Sequence, residues 1–577
     1  MNDIPDQGLN STVERNRMLR RLIELGIALS SERDHNRLLE LILLETKRIA
    51  NADGGTLYLM TDDDRALSFA IMRNDTLDIA MGGTTGVEIP FPPLALYDEE
   101  ETPNYTNVAT AVALNKMAVN IPNAYETATF DFSGTIKFDE STGYRSTSFL
   151  TVPLLNKQQS VIGVLQLINA RMEDNEVVPF SPDIQPIIEA LTSQAAVALD
   201  NEMLFLGQRK LLDSFIELIA GAIDQKSAYT GGHCQRVPAL TEMLAKAACA
   251  SDAPPFKEFD LDEDGWYELH LAGWLHDCGK VTTPEYVVDK ATKLETIYNR
   301  IHEIRMRFEV LRRDAEIECL KAKLAGERDP AALDATFQAR CRQLEDDFAF
   351  LAATNVGGEF LEDEAVDRIG EIGTQSWTRY FDRSLGLSWE EASRLDEATD
   401  YAAPAEERLL DDRDDHKTGE YDLGEIYNLS ISRGTLTEEE RKKINDHIVI
   451  TIDMLNQLPF PKQMRNVPEY AGGHHEKMDG TGYPKGLTRD QMSLPARMMA
   501  IADIFEALTS ADRPYKKAKK LSECVRIMGF MRNDDHIDPE LFDLFLTSGV
   551  WREYANTFLA PDQIDEIDIN DYLSGAE

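Results

Sequence analysis

The chain has 577 residues, more than the about 250 to 300 that a single hydrophobic core covers, so two or more domains are expected. Hydrophobic residues at 43% and charged residues at 28% exclude wholesale disorder. A formal charge of -43 excludes extended binding to polymeric nucleic acid, which clustered Lys and Arg must hold, and leaves small phosphate esters bound locally by metal ions and a few basic side chains.

The opening stretch MNDIPDQGLNSTVERNRML lacks the apolar core of a signal peptide. No apolar run reaches the roughly 18 residues of a spanning helix, so a cytoplasmic protein without membrane insertion is expected. The six cysteines stand far apart with no CxxC pair and read as reduced thiols.

Residues 1–19 are assigned to an N-terminal tail, and helical spacing of apolar residues extends to position 50. Strand signals follow in GTLYLM (55–60), ALSFAIM (66–72), TSFLTVPLL (147–155) and SVIGVLQLIN (160–169), the last pair joined by a turn at NKQQ. A helix is predicted over 182–225 through Ile188, Leu191, Leu199, Leu211, Phe215 and Leu218. Its length suits pairing with a second subunit, and a break near Gly207 with each half packed in its own domain is the alternative.

Beyond 226 the pattern is helical. Ile301, Ile304, Phe308 and Leu311, then Leu333, Phe337, Cys341 and Leu344, predict a helical hairpin whose turn holds Gly326 as stop, Asp329 as cap and Pro330 as first helical residue. An acidic, loop-rich stretch runs from there to Gly424.

Five of the ten histidines form an ordered series with two aspartates: His233, His276 and Asp277, His447, His474 and His475, then Asp503. Imidazoles mixed with carboxylates suit manganese, iron or zinc, whereas magnesium and calcium sites are mostly oxygen. Adjacent residues on a helix diverge by about 100 degrees, so His276 and Asp277 do not easily chelate one ion, and seven ligands exceed the needs of a single four-coordinate zinc. Two ions resolve this, with Asp277 as bridge, His233 and His276 on one side, His447, His474 and His475 on the other, and Asp503 as a further carboxylate. Lys280, four residues past His276, is expected on the same helical face, beside the metals. His35, His270, His302, His416 and His536 read as ordinary surface or core residues.

These residues lie in YTGGHCQRV, LHDCGKVTTP, GTLTEEERKKINDH, HHEKMDGTGYPKGL and ADIFEALTSADRPYKKA, through which the stretch 205–560 resembles the HD-GYP phosphodiesterases. The resemblance implies an all-α domain over 205–577 that hydrolyses cyclic di-GMP to linear dinucleotide and GMP. It implies metal ligation by the seven residues above, with iron or manganese as the two ions. Asp277 and Lys280 are the implied catalytic residues, and Lys280, Tyr483, Arg513 and Lys516 the implied substrate contacts. The alternatives are the same chemistry on 3',3'-cyclic GMP-AMP, or a catalytically weak regulator that responds to a cyclic dinucleotide. The chain departs from the family twice. Tyr229 stands where some members carry a Glu that gives a third metal, which favours two ions here, and a helical insertion over 296–424 separates the HD helix from the LTEEE helix.

Residues 20–200 resemble a GAF domain of the cyclic-nucleotide-binding type, chiefly through the segment from Asn123 to Asn169. The implied fold is α+β, an antiparallel sheet with flanking helices. Asn123, Lys137, Phe138, Asp139 and Glu140 approximate the family's NKFDE pattern and imply a site for a cyclic nucleotide. The alternative is a domain in which a buried Lys–Asp pair fixes the fold and which serves only to dimerise. The long helix would then couple this sensor to the phosphodiesterase, within a homodimer joined through that helix.

Overall fold

The computed structural model describes residues 23–29, 31–32, 34–226, 232–326, 329–358, 360–395, 401–417, 421–510 and 518–573. The chain divides into two compact units, Met1–Leu212 and Asp213–Glu577.

The first unit is built on an antiparallel sheet of eight strands: β1 (Ala52–Met60), β2 (Ala66–Asn74), β3 (Ile79–Gly82), β4 (Leu94–Ala95), β5 (Val119–Ile121), β6 (Phe149–Leu155), β7 (Val161–Arg171) and β8 (Val177–Val178). Along the main path the order is β3-β2-β1-β7-β6-β5, with β4 on β2 and β8 on β7. Side chains alternate across a strand, so each strand feeds two cores. Leu57, Leu165 and Leu167 join a core with Leu38, Ile42 and Leu43 of α1 (His35–Ile49). Tyr58, Val164 and Phe149 face the other way, toward Val108 and Val112 of α2 (Val108–Asn115). The short helix α3 (Ser133–Thr142) completes that second layer.

Ile188, Leu191, Ala195 and Leu199 pack the start of α4 (Gln185–Lys226) into the first core. The helix runs through Gly207 without a break. Past that anchor Leu204, Leu211, Phe215 and Leu218 are exposed, whereas Ile216, Ala220 and Ile223 are buried.

In the second unit, α5 (His233–Cys249) and α6 (Glu263–Leu275) precede the insertion. Within the insertion α7 (Ile301–Ala325) ends at Gly326, whose φ of 72° no other residue type adopts as readily, and α8 (Pro330–Asn355) starts with Pro330 at its N-terminus after Asp329. This is the hairpin that the spacing predicts. With α9 (Asp363–Gly373) it buries its own core of Ile304, Phe308, Leu344, Leu351, Ile369 and Leu410. Among the described residues the expectation of a wholly helical region meets an exception in a two-stranded antiparallel ladder of β9 (Ser376–Arg379) and β10 (Ala405–Arg408). Four-residue strands carry too little alternation to register as a period.

After the insertion come α10 (Glu425–Leu429), α11 (Glu438–Gln457), α12 (Val467–Gly472) and α13 (Leu494–Thr509). The helices α14 (Leu521–Asn533), α15 (Pro539–Thr547) and α16 (Val550–Phe558) close the unit. Their shared core gathers Val237, Leu271, Met498, Phe505, Phe545 and Tyr554. Each such side chain, removed from water, contributes on the order of 1.5 to 3 kcal/mol and holds α5, α6 and α13 in fixed register. Among the described residues no helix is long and apolar enough to cross a membrane.

Candidate metal centre

The seven residues of the His/Asp series converge from five places in the second unit. His233 is the first residue of α5, and His276 and Asp277 follow directly on the last turn of α6. His447 lies in the middle of α11, His474 and His475 follow α12, and Asp503 lies on α13. Three groups of them have ligand atoms within 4.8 Å of one another: His233, His276 and Asp503; His447, His474 and His475; and His276, Asp277 and His474.

The imidazoles are oriented from behind. Nδ1 of His276 lies 2.7 Å from the Gly273 carbonyl and Nδ1 of His474 2.6 Å from that of Ala471, while His447 uses the carbonyl of Ile444. Nδ1 of His233 meets a carboxylate instead, Oε2 of Glu506, at 2.5 Å. An Nδ1–H committed to an acceptor leaves Nε2 as a bare lone pair. Those lone pairs face each other, with Nε2 of His276 and His233 3.3 Å apart and Nε2 of His475 and His447 also 3.3 Å apart. Nε2 of His474 is buried with no hydrogen-bond partner. Such convergence is unfavourable in a protein interior unless a cation accepts the lone pairs.

Asp277 stands between the two imidazole groups. Its Oδ2 lies 3.1 Å from Nε2 of His233 and 3.3 Å from that of His276, while Oδ1 lies 3.2 Å from Nε2 of His447 and accepts no hydrogen bond. Asp503 Oδ1 is 3.4 Å from Nε2 of His233. Burial works against the charge of Asp277, but Lys280 and His276 prevail and hold the carboxyl well below the usual range. For Asp503 too burial is outweighed, first by the neighbouring His233. Burial pushes His475 down to about 4 and His474 well below the ordinary histidine range, keeping both neutral. Ionised carboxylates beside the neutral His474 and His475 fit a divalent metal, and the orphaned Oδ1 of Asp277 and Nε2 of His474 are the atoms such an ion would satisfy.

Lys280 reaches the site differently from the expected route. Helix α6 stops at Leu275, and residues Cys278–Thr282 form a 3-10 turn, so Lys280 does not share a helical face with His276. With three residues per turn, i and i+3 eclipse, and Nζ of Lys280 lies 2.5 Å from Oδ2 of Asp277. The turn is pressed against α11. A Cβ on Gly279 would stand 2.0 Å from the carbonyl oxygen of His447 and 2.7 Å from the nitrogen of Thr451, so only glycine allows this approach.

The GYP loop is folded by a residue that the sequence reading passes over. Glu476, buried behind the two histidines, accepts hydrogen bonds from the backbone of Lys485 at 2.7 Å and Leu487 at 2.9 Å. This brings Tyr483 onto His475, with ring centroids 4.8 Å apart and 23° between planes. A cavity of about 380 Å³ opens beside them, lined by His474, His475, Lys477, Tyr483, Asp503 and the apolar Leu508 and Met531 among others. Glu506 and its partner Arg236, whose Nε donates to Oε1 at 2.8 Å, were also missed. Both carry a helical signal, since Glu506 lies three residues past Asp503 and Arg236 three past His233. Arg513, Lys516 and Tyr229 lie outside the described residues.

In the first unit the five expected ligand residues do not converge. Phe138 lines a cavity, whereas Lys137 and Glu140 are exposed on α3. Asp139 is buried and holds Tyr125 OH at 2.5 Å, Ser146 N at 2.7 Å and Ser146 Oγ at 2.8 Å, so its charge is spent on the fold without a lysine. Asn123 closes a turn by accepting the backbone N–H of Tyr125 at 3.0 Å.

Residues 34–199 match the GAF domain family and residues 417–541 the HD domain family. The chain therefore carries an N-terminal GAF domain and an HD domain. The HD match begins within the last residues of the insertion, so it takes in His447, His474, His475 and Asp503 but not His233, His276 or Asp277. The chain is 36% identical over 129 residues to 3'3'-cGAMP-specific phosphodiesterase 1 of Vibrio cholerae, a stretch of 22% of this chain and 29% of the relative. To 3'3'-cGAMP-specific phosphodiesterase 3 of the same organism it is 42% identical over 112 residues, 19% of this chain and 23% of the relative. To a cyclic di-GMP phosphodiesterase of Pseudomonas aeruginosa it is 49% identical over 73 residues, 13% of this chain and 17% of the relative. The chain thus spans less than a third of the length of each of these curated relatives.

Proposed function

We propose that this chain, with its GAF and HD domains, is a phosphodiesterase of the HD-GYP kind that hydrolyses cyclic di-GMP to the linear dinucleotide and GMP at a centre of two divalent ions, iron or manganese. The observation that carries the reading is the placement of Asp277, which turns Oδ2 to His233 and His276 and Oδ1 to His447. A carboxylate addressing two ligand groups with separate oxygens suits a bridge between two ions. His233, His276 and Asp503 would complete one side, and His447, His474 and His475 the other.

Divalent ions bound there supply Lewis acidity toward a phosphoryl oxygen and lower the pKa of water. The chain's own groups do the rest. Lys280, part-exposed and paired with Asp277, would offer its ammonium to a phosphate oxygen beside the metals. Tyr483, fixed on His475, borders the path of the dinucleotide, and Lys477 adds a second ammonium. Arg513 and Lys516 are assigned to substrate contact on the motif alone. The apolar residues Leu508 and Met531 give a base a surface away from water.

Two relatives with longer matched stretches act by name on 3'3'-cGAMP, which supports that dinucleotide as the second reading. Anaerobically purified protein, assayed by chromatography on both dinucleotides with iron and with manganese, separates the two. Failure to cleave either sinks the enzymatic reading, and a metal content of one or three ions per chain overturns the two-ion centre.

A homodimer joined through α4 is supported by its exposed residues Leu204, Leu211, Phe215 and Leu218, which recur at 7, 4 and 3 residues, the spacing of a coiled-coil seam. In such a dimer the GAF domain would regulate the phosphodiesterase through this helix.

A further inference from the structure

We infer that the cavity of the GAF domain receives an uncharged, planar aromatic molecule and not a cyclic nucleotide. The cavity measures about 370 Å³, within the range of small-ligand sites, and lies on the sheet face that carries Tyr58 and Phe149. Its lining is dominated by rings: Tyr58, Phe69, Phe91, Phe132, Phe138 and Phe149. Tyr58 and Phe69 have centroids 4.8 Å apart, Phe69 and Phe91 5.5 Å, and Phe132 and Phe149 5.1 Å, so the rings form two tilted clusters. Aromatic faces and edges of this kind favour another flat ring by offset or edge-on contact.

A phosphate finds no anchor there. The cation that lines the cavity among the described residues is Arg73, and its guanidinium is already committed to Glu40 and to the carbonyls of Met72 at 2.8 Å and Met81 at 2.7 Å. Helix N-termini are the other common anion site, and of the two at this cavity one is capped by its own side chain while the other faces a carboxylate. Asn107 Oδ1 accepts the N–H groups of Ala109 at 2.9 Å and Thr110 at 3.4 Å at the start of α2. Asp131 Oδ1 accepts the N–H of Ser133 at 2.8 Å at the start of α3, which keeps a carboxylate where a phosphate would have to sit. That hydrogen bond also holds Asp131 below the usual carboxylate range, so the charge persists.

The phenols and the amide of the lining are bound within the protein. Tyr58 OH reaches Gln166 Oε1 at 3.3 Å, Gln166 Nε2 reaches Thr151 at 3.2 Å, and Tyr144 OH is bound to Asp53 at 2.5 Å. A ligand that demands strong new hydrogen bonds would have to break these, whereas an apolar ring leaves them intact.

The test titrates the neutral naphthalene dye prodan into the full-length protein and follows its emission. One saturable site per chain with blue-shifted emission is expected, unaffected by excess cyclic GMP or cyclic AMP, and weakened at least about tenfold by Phe138→Asp, which places a charge on the cavity wall. Phe138 is half-buried, and if the variant fails to fold by circular dichroism, Thr135→Trp narrows the same cavity from α3. Absence of saturable dye binding, displacement of the dye by either cyclic nucleotide, or equal binding in the folded variant and the wild type overturns the inference.

Discussion

Replacing Glu506 by glutamine probes the metal centre without touching a proposed ligand. Glu506 is buried and serves two partners at once, taking Nδ1 of His233 on Oε2 at 2.5 Å and Nε of Arg236 on Oε1 at 2.8 Å. Burial alone would raise its pKa, but His233 and Arg236 outweigh this and hold it below the usual range. An amide keeps the shape and has only one acceptor oxygen. Either His233 or the largely buried Arg236 then faces an N–H donor, so the imidazole loses its fixed tautomer or a guanidinium loses its partner. Losing the group that orients a ligand imidazole from behind costs roughly 10- to 100-fold in metal affinity or activity, about 1.4 to 2.7 kcal/mol. The loss should fall on one side of the centre, because Glu506 touches His233 and not His447, His474 or His475. Manganese binding followed by electron paramagnetic resonance, with hydrolysis rates measured in parallel, should show two steps in the wild type and only one weakened in Glu506→Gln. Wild-type affinity for both ions, or equal weakening of both, would refute the reasoning.

Gly279→Ala should lower the melting temperature and metal content together, because its methyl meets the His447 carbonyl at 2.0 Å; overpacking against backbone costs about 1 to 3 kcal/mol or more, and an unchanged melting curve would count against the packing argument. Lys477→Met should raise KM for the cyclic dinucleotide roughly tenfold while hydrolysis of bis(4-nitrophenyl) phosphate stays the same, since the Lys477 side chain has no ion pair among the described residues and lines the cavity; an unchanged KM removes it from substrate binding. His416 in the insertion is buried, and burial with Arg413 lowers its pKa to about 4, so the unfolded chain takes up its proton first as pH falls through 6.5. The stability tied to the neutral ring is therefore full above pH 6.5 and lost toward pH 4, on the order of 3 kcal/mol, and urea unfolding of wild type against His416→Phe should differ in slope over that window; parallel slopes would exclude it. Leu211→Asp with Leu218→Asp should turn a dimer into a monomer by light scattering, and a dimer that persists rules out the α4 seam.

How much was legible in advance follows from what each feature needs from neighbours in sequence. The ligands announce themselves because a metal demands particular side chains, and five histidines with two aspartates recur in one ordered series although HD alone is weak evidence. The groups behind them demand only a carboxylate in the right place. Glu506 is one of 102 acidic residues, and nothing local separates it from a solvated helix face. The long strands β1, β2, β6 and β7 were readable from their alternation, whereas β4 and β8, with two residues each, exist only because a longer neighbour pairs with them. Lys280 was tied to the wrong turn geometry because the switch from α-helix to 3-10 at Leu275 is set by packing against α11, which is distant in sequence. In the GAF domain the letters of a motif were present, but Asp139 is consumed by Tyr125 and Ser146, a competition visible only in three dimensions.

The same contrast explains how a metal centre can tolerate being split by the insertion. The two halves are rejoined by contacts that do not pass through its core. Lys290, just before the insertion, donates to Glu440 at 2.7 and 3.0 Å and to Asn428 at 3.2 Å, all of them buried. Glu440 also closes the capping box with Thr437 that starts α11, the helix bearing His447. Lys293 donates to the carbonyls of Leu429 and Ile431, each at 2.8 Å, tying the entry of the insertion to its exit. With its ends already held, a longer connection costs little, about 0.6 kcal/mol per doubling of length, and the inserted helices supply their own core. Removing one partner of a buried ion pair costs about 3 to 5 kcal/mol, so the Lys290–Glu440 clamp, more than the length or shape of what lies between, fixes His447 opposite Asp277.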